Sequence, residues 1–142
     1  MKRTAADKHF SNCIRAANDY ICERCGKDCK EDKSKSHCSH NYKRNIRSIR
    51  FYKYNALCLC NCCHKWYEDE VIDSGIWIND YMGADVIEKL REARNTKRPI
   101  TIQEEKKKIA KHYLSEHKRI KKLRDQGVKG YIDFTCYFEN EY

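Results

Sequence analysis

Four cysteines in two pairs are the residues whose spacing most clearly predicts chemistry. Cys22 and Cys25 are separated by two residues and followed by Gly26, and Cys60 and Cys63 have the same separation. Structural zinc favours such pairs, because a tight turn or the first turn of a helix brings both sulfurs to one point. The sequence therefore predicts one tetrahedral zinc site with these four cysteines as its ligands.

The remaining cysteines are not assigned to that site. Cys58 and Cys62 are alternative ligands with an offset spacing, whereas Cys29 and Cys38 fit either the core or a second, weaker metal site. The first ten residues, MKRTAADKHF, lack the apolar segment of a secretory signal. Cysteines without such a signal are expected to be metal ligands or reduced thiols rather than members of disulfide bonds.

The charge of the chain points to a polyanionic partner. The 142 residues carry a formal net charge of +9 and are 36% charged, and no apolar run has the length of a membrane span. Residues 41–54 hold five Lys or Arg, four aromatic residues and no acid, while residues 103–124 hold nine Lys or Arg against three Glu. Two separate basic segments favour binding to a nucleic acid duplex, and no membrane partner is expected.

The elements in the first half of the chain must position these residues, and the sequence predicts them as follows. A helix capped by Thr4 is expected over 4–19, followed by a cysteine-rich knuckle over 20–33. Residues 36–42 could form a short strand, and 46–54 either a loop or a second strand. A helix is then expected from near Leu59 to Asp73, ended by Ser74 and Gly75.

Short helices and one long helix are predicted for the rest of the chain. Helices are expected over 76–82 and 85–94, a linker over 95–99, a long amphipathic helix over 101–125, and a strand over 131–138 before an acidic tail. The fold class is therefore α+β. The predicted organisation is an N-terminal helix, a zinc-bearing core, a pair of short helices packed on it, and a C-terminal basic helix with a strand, with these bounds: 1–21, 22–75, 76–98 and 99–142.

Three further residues, in the context of the cysteine pairs, carry a resemblance to a known family. His40, Asn55 and His64 occur in that order within the segments 36-SHCSHNYKR-44 and 55-NALCLCNCCHKW-66, after 10-FSNCIRAANDYICERCGK-27. This pattern resembles the HNH, or His-Me finger, endonucleases of the zinc-bearing kind, and in particular the phage NinG/Rap-like recombination nucleases. The resemblance covers about residues 8–83.

The resemblance implies a small ββα core that holds one divalent metal ion. It implies that His40 is the general base, that Asn55 orients His40 through hydrogen bonds, and that His64 holds a catalytic Mg²⁺ or Mn²⁺. The structural zinc and this second metal would then lie on the same helix.

One position departs from the family pattern and leaves the catalytic ligand set open. The family usually has Asp or His immediately before the general base, where this chain has Ser39. Serine is a weak ligand, so His37, two residues earlier, or Glu68, one helical turn after His64, are alternative ligands of the catalytic metal.

Four basic residues are predicted to contact DNA, because they lie in the basic segment between the two parts of the site: Arg44, Arg47, Arg50 and Lys53. The resemblance implies a duplex or branched DNA substrate and a phage protein that acts in the cytoplasm of a bacterial host. It leaves a homodimer open. The alternative hypothesis is a zinc-stabilised DNA-binding module without catalytic activity, with Ser39 as the mark of lost function.

Overall fold

The computed structural model describes residues 2–96 and 102–138, and within them it is an α+β fold of five helices and a two-stranded antiparallel sheet. The predicted fold class is thereby confirmed. The elements are α1 (Ala5–Ala17), β1 (Ser36–His40), β2 (Ala56–Cys60), α2 (Asn61–Asp69), α3 (Val71–Met82), α4 (Ala84–Asn95) and α5 (Ile102–Asp125). Most of the predicted linker and the acidic tail at 139–142 lie outside the described residues.

Helix α1 begins where the sequence predicts. The Asp7 backbone N–H donates to Thr4 Oγ1 at 3.3 Å, and the Thr4 N–H donates to Asp7 Oδ2 at 2.7 Å, so the two residues form a capping box. Phe10, Cys13 and Ile14 lie on the buried face of α1. This face packs against α5 and against one side of the sheet, which forms the largest part of the core.

The register of the two strands decides which side chains face which helix. Cys38 pairs with Cys58, and His40 pairs with Ala56. Cys58 and Ala56 belong to the cluster packed on α1, whereas Leu57, on the opposite face of β2, packs with residues of α3. Because side chains alternate along a strand, His40 faces the α1 side, and the odd-numbered residues of β1 face α2.

The predicted helix from Leu59 to Asp73 is corrected. Residue 59 is still in β2, α2 ends at Asp69, and α3 starts after a break at Glu70, whose φ and ψ are −98° and 69°. Gly75 does not end a helix, because buried Ser74 and Ile78 on either side of it anchor α3 to the core. The predicted boundary at residue 75 therefore falls inside α3.

The second strand is β2, at 56–60, so the loop alternative for residues 46–54 is the one the structure contains. Two short 3₁₀ turns lie in or beside that loop, at 47–49 and 53–55. No helix within residues 2–96 and 102–138 is both long and apolar enough to cross a lipid bilayer.

The predicted C-terminal strand over 131–138 is not formed in the described structure, but the predicted alternation of its side chains is confirmed. Ile132, Phe134 and Phe138 are buried and their neighbours are more exposed, yet this segment pairs with no strand of the described structure. Side chains of α5 bind its backbone instead: Glu116 Oε2 accepts from the Thr135 N–H at 3.0 Å. The segment is therefore held as an extended strap across α1 and α5.

Candidate functional site

The four paired cysteines form a single cluster of sulfur atoms. The Sγ atoms of Cys22, Cys25, Cys60 and Cys63 all lie within 4.8 Å of one another, and those of Cys25 and Cys60 are 3.7 Å apart. A tetrahedral zinc ion with Zn–S bonds of about 2.3 Å separates its sulfurs by about 3.8 Å. The cluster could therefore hold a metal ion such as zinc, with the four ligands that the sequence predicts.

Two local structures set this geometry. In the first pair, the Gly26 N–H donates to the Cys22 carbonyl at 2.9 Å, and Gly26 adopts a φ of +76°, which a residue with a side chain rarely does. In the second pair, Cys60 is the N-cap of α2, and its sulfur accepts from the Cys63 N–H at 3.4 Å. Each spacing therefore brings its two sulfurs together without help from the rest of the fold.

The surroundings of the cluster shift the pKa values of two of its thiols in opposite directions. Burial acts to raise the pKa of Cys22, but backbone N–H groups, those of Cys25 and Cys60 first, lower that pKa to about 7. Burial raises the pKa of the Cys63 thiol to about 12. A bound metal ion would deprotonate both thiols, so its affinity should rise with pH.

Arg24 also contributes to this site, although the cysteine pattern does not single it out. Its guanidinium donates to Cys63 Sγ at 3.4 Å and lies 3.5 Å from the centre of the Trp66 ring. Four thiolates around a divalent ion carry a net negative charge, which a guanidinium held in this position offsets. The only sequence signal was its place between the two cysteines of the first pair.

The cysteines outside the cluster are separate thiols. Cys58 is buried on the α1 side of the sheet, and Cys62 is exposed, so neither alternative ligand joins the cluster. Cys29 packs beside the cluster, and Cys38 is half-buried on β1. All ten cysteines fall in the described residues, and none forms a disulfide bond.

His40 and His64 both line two neighbouring cavities, and no cysteine of the four-thiol cluster lines either of them. The larger cavity, of about 1100 Å³, lies between α2, α3, α4 and the loop that follows β1. The smaller cavity, of about 410 Å³, lies against α1 and is also lined by His37. Arg44 lines both cavities, so the two predicted histidines face a cleft with a basic edge.

The predicted ligands of the catalytic metal meet as a chain of contacts. The Nδ1 atoms of His37 and His64 are 2.9 Å apart, and His64 Nε2 lies 3.1 Å from Glu68 Oε1, one turn further along α2. His37 and Glu68 thus contact different nitrogens of His64. In the described part of the chain, only the four thiols bring three or more ligand atoms together.

Ser39 is enclosed rather than open to the cleft. Its side chain is 1% exposed, and Oγ has no hydrogen-bond partner among the described residues. Ser39 shares the α2-facing side of β1 with His37, because alternate residues of a strand point the same way. Of these two candidate ligands, only His37 contacts His64.

Asn55 holds the loop after β1, because its side chain bonds to the backbone of Tyr42 rather than to the His40 ring. Asn55 is fully buried. Its Oδ1 accepts from the Tyr42 N–H at 2.8 Å, and its Nδ2 donates to the Tyr42 carbonyl at 3.1 Å. The Asn55 carbonyl also accepts from the Asn41 N–H at 2.9 Å. Asn55 therefore fixes the backbone immediately after His40.

A second set of hydrogen bonds holds the loop after β1, and the sequence did not predict it. Tyr67 on α2 donates from its hydroxyl to Asn41 Oδ1 at 2.6 Å, and Asn41 Nδ2 donates to the Tyr54 carbonyl at 3.0 Å. Tyr67 follows Cys63 by four residues, a spacing that puts both on one face of α2. That spacing was the available signal.

The environment of His40 keeps its imidazole neutral. Burial, followed by the positive charge of Arg44, lowers the pKa of His40 to about 4, and the charge of Asp7 opposes this shift. At neutral pH the ring therefore carries no charge and has a lone pair that can accept a proton.

Two of the four predicted DNA contacts are corrected, because their side chains bind within the protein. Arg50 is buried and its guanidinium pairs with Asp7, with Nε donating to Oδ1 at 2.9 Å. The Lys53 ammonium lies 2.9 Å from Asp133 and its side chain is only 10% exposed. Arg44 also lies 3.8 Å from Asp7, but its side chain is 28% exposed and lines the cleft, and Arg47 is exposed, so these two can still reach a ligand.

No protein-family model matches the chain, and no similar protein was found among curated proteins or among solved structures.

Proposed function

We propose that this chain is a metal-dependent DNA endonuclease of the HNH, or His-Me finger, type, which hydrolyses phosphodiester bonds. The observation that supports it best is the succession of β1, β2 and α2, with His40 at the end of the first strand and His64 on the helix, both lining one cleft. This is the order and setting that the resemblance in the sequence implies.

The side chains around His64 suit a hard divalent cation in part. Adjacent ligands of an octahedral Mg²⁺ with bonds of about 2.1 Å lie about 3.0 Å apart, close to the 2.9 Å between the Nδ1 atoms of His37 and His64. Glu68, with a side chain that is 67% exposed, can rotate to add a carboxylate. Mg²⁺ or Mn²⁺ held there would polarise a phosphate oxygen and stabilise the charge of the leaving group.

His40 is assigned the role of general base. Its neutral ring can take a proton from a water molecule that attacks the phosphorus atom. A bound phosphodiester would offset the positive charge of Arg44, which helps to keep the pKa of His40 low. Substrate binding is therefore expected to raise the pKa of His40 toward the value that suits a base at neutral pH.

Asn55 acts as a positioning residue in this proposal. By holding the backbone of Tyr42 at two points, it fixes the end of β1 and so the direction of the His40 side chain. Tyr67 supports the same loop from α2 through Asn41. The base and the metal-binding helix are thus joined by hydrogen bonds outside the reacting atoms.

The DNA partner is proposed from charge and from the resemblance. In this proposal, Arg44 at the cleft and the exposed Arg47 contact phosphates, and the net charge of +9 favours a polyanion. The resemblance extends the proposal to branched recombination DNA and to a phage protein in a bacterial cytoplasm. A homodimer would explain cleavage of two strands, but a single copy suffices for the chemistry described.

A plasmid-nicking assay with Mg²⁺ or Mn²⁺ tests the proposal. Wild type should convert supercoiled plasmid to the nicked form, and His40→Ala should reduce the rate by about a hundredfold or more, as expected for loss of a general base. His112→Ala is the matched control, because His112 lies on α5 and contacts Thr135. Equal nicking by wild type and His40→Ala would contradict the proposed mechanism.

The second candidate function is a DNA-binding module that keeps this shape without catalysis. Enclosed Ser39 and the lack of convergence among His37, His64 and Glu68 favour it. A DNA-binding measurement on the same proteins separates the two candidates. Binding that is equal for wild type and His40→Ala, with no nicking by either, would support the module.

A further inference from the structure

Helix α3 exposes an apolar stripe that the proposed nuclease chemistry does not use. Ile72 and Ile76, one turn apart, are 79% and 68% exposed, and they lie opposite the face through which Ser74 and Ile78 anchor α3. Val71, at the start of α3, is 72% exposed. Exposed aliphatic side chains that lie together on one helix face mark an interaction surface. Gly75 lies between them, and a Cβ built on it would meet no atom within 4 Å, so a partner could approach the backbone closely.

The region around this stripe is acidic in an otherwise basic protein. Residues 66–88 contain seven Asp or Glu and no Lys or Arg. On α3 itself, exposed Asp73 and Asp80 are seven residues apart and therefore lie along the same edge of the stripe. The stripe thus has an apolar centre with a negatively charged edge.

This charge excludes the partners that the rest of the surface would favour. DNA and anionic lipid are repelled by an acidic edge, because both are polyanions. A second copy is also disfavoured: a two-fold axis between Ile76 and Trp77 would place Asp73 of one α3 opposite Asp80 of the other. The basic helix α5 of a second copy does not fit either, because its apolar residues, such as Ile109 and Tyr113, are buried.

We propose that the α3 stripe is a docking surface for a basic amphipathic helix of a different protein. Two apolar residues one turn apart on that helix would cover Ile72 and Ile76, and Lys or Arg along one side would pair with Asp73 and Asp80. Val71 also lines the larger cavity. A helix docked on α3 would therefore lie close to the cleft.

A fluorescent three-turn peptide of leucine and lysine in amphipathic order is the probe. Fluorescence anisotropy should detect its binding to the zinc-loaded full chain, and the same peptide with glutamate for lysine should bind at least about tenfold more weakly. Ile72→Ser/Ile76→Ser should weaken binding at least about tenfold, because it removes the apolar contact. Asp73→Asn/Asp80→Asn should weaken it by a smaller factor.

Matched controls change exposed residues elsewhere. Val128→Ser/Tyr131→Ser removes two exposed apolar side chains, and Glu104→Gln/Asp125→Asn removes two exposed charges, so both should bind the peptide as wild type does. Unaltered affinity of Ile72→Ser/Ile76→Ser, or equal binding of the glutamate peptide, would overturn the proposal.

Two other outcomes would assign the stripe to a different occupant and overturn the proposal as well. One is a dimer of the protein alone, seen by sedimentation and dissolved by Ile72→Ser/Ile76→Ser. The other is weaker binding of duplex DNA by that variant. We expect a monomer in this experiment and unchanged DNA binding. Neither peptide result depends on nicking, so the docking surface and the nuclease proposal can fail independently.

Discussion

Helix α2 carries both candidate sites, and the two differ in how completely the fold assembles them. At its start, four sulfurs lie within 4.8 Å of one another and need only a metal ion to complete the group. One residue later, His64 contacts His37 on one side and Glu68 on the other. This difference agrees with the proposed roles, since a structural zinc site is closed by protein ligands and a catalytic metal site leaves positions for water and substrate.

The largest effect on stability is expected at the four-cysteine cluster. Cys22→Ser should lose zinc and the folded structure together, because the binding free energy of a structural zinc, on the order of 10 kcal/mol, is also folding free energy. Zinc content and the circular dichroism melt measure this. Cys62→Ser is the control, because Cys62 is exposed and outside the cluster. A Cys22→Ser protein that keeps one zinc and melts as wild type would show that the cluster is not the metal site.

The next largest effect on stability is expected at Asn55, which holds the backbone beside His40. Asn55→Ala should lower the free energy of unfolding by about 1–3 kcal/mol, because it removes both hydrogen bonds from Asn55 to the part-buried backbone of Tyr42. It should also slow nicking while zinc content stays unchanged. Asn79→Ala, at an exposed asparagine, should change stability by less than about 0.5 kcal/mol. Equal urea midpoints for the two variants would contradict the role assigned to Asn55.

The smallest effect on stability is expected at the exposed end of the histidine chain. Glu68→Gln should change the free energy of unfolding by less than about 0.5 kcal/mol, because the Glu68 side chain is 67% exposed and polar contacts at the surface contribute little. It should nevertheless slow nicking by about tenfold if its carboxylate joins the catalytic metal. Asp69→Asn, at the neighbouring exposed position, is the control. Wild-type nicking by Glu68→Gln would remove Glu68 from the proposed ligand set.

Local spacing explains what the sequence could predict. The zinc ligands follow from two Cys-x-x-Cys pairs, since each pair is shaped by its own turn or helix start. The start of α1 follows from Thr4 and Asp7, three residues apart. The two helices α2 and α3 could not be separated in the same way, because Gly75 suggests a helix end and only the packing of Ser74 and Ile78 overrides it.

Contacts between distant residues explain what could not be predicted. The basic segment around Arg50 suggests that this side chain is available to DNA, but it pairs with Asp7, 43 positions away. Asn55 bonds to Tyr42 rather than to His40, which depends on how the loop returns to β2. The C-terminal segment alternates as a strand does, yet its backbone binds side chains of α5, which no short-range pattern encodes.

If helix α2 serves two separate sites, His64→Ala should disable one of them and leave the other intact. Zinc content and plasmid nicking with Mg²⁺ should be measured on the same preparation of this variant. We expect one zinc per chain and an unchanged melting temperature, with nicking reduced by about a hundredfold or more. Nicking at the wild-type rate, or loss of zinc together with nicking, would contradict this expectation.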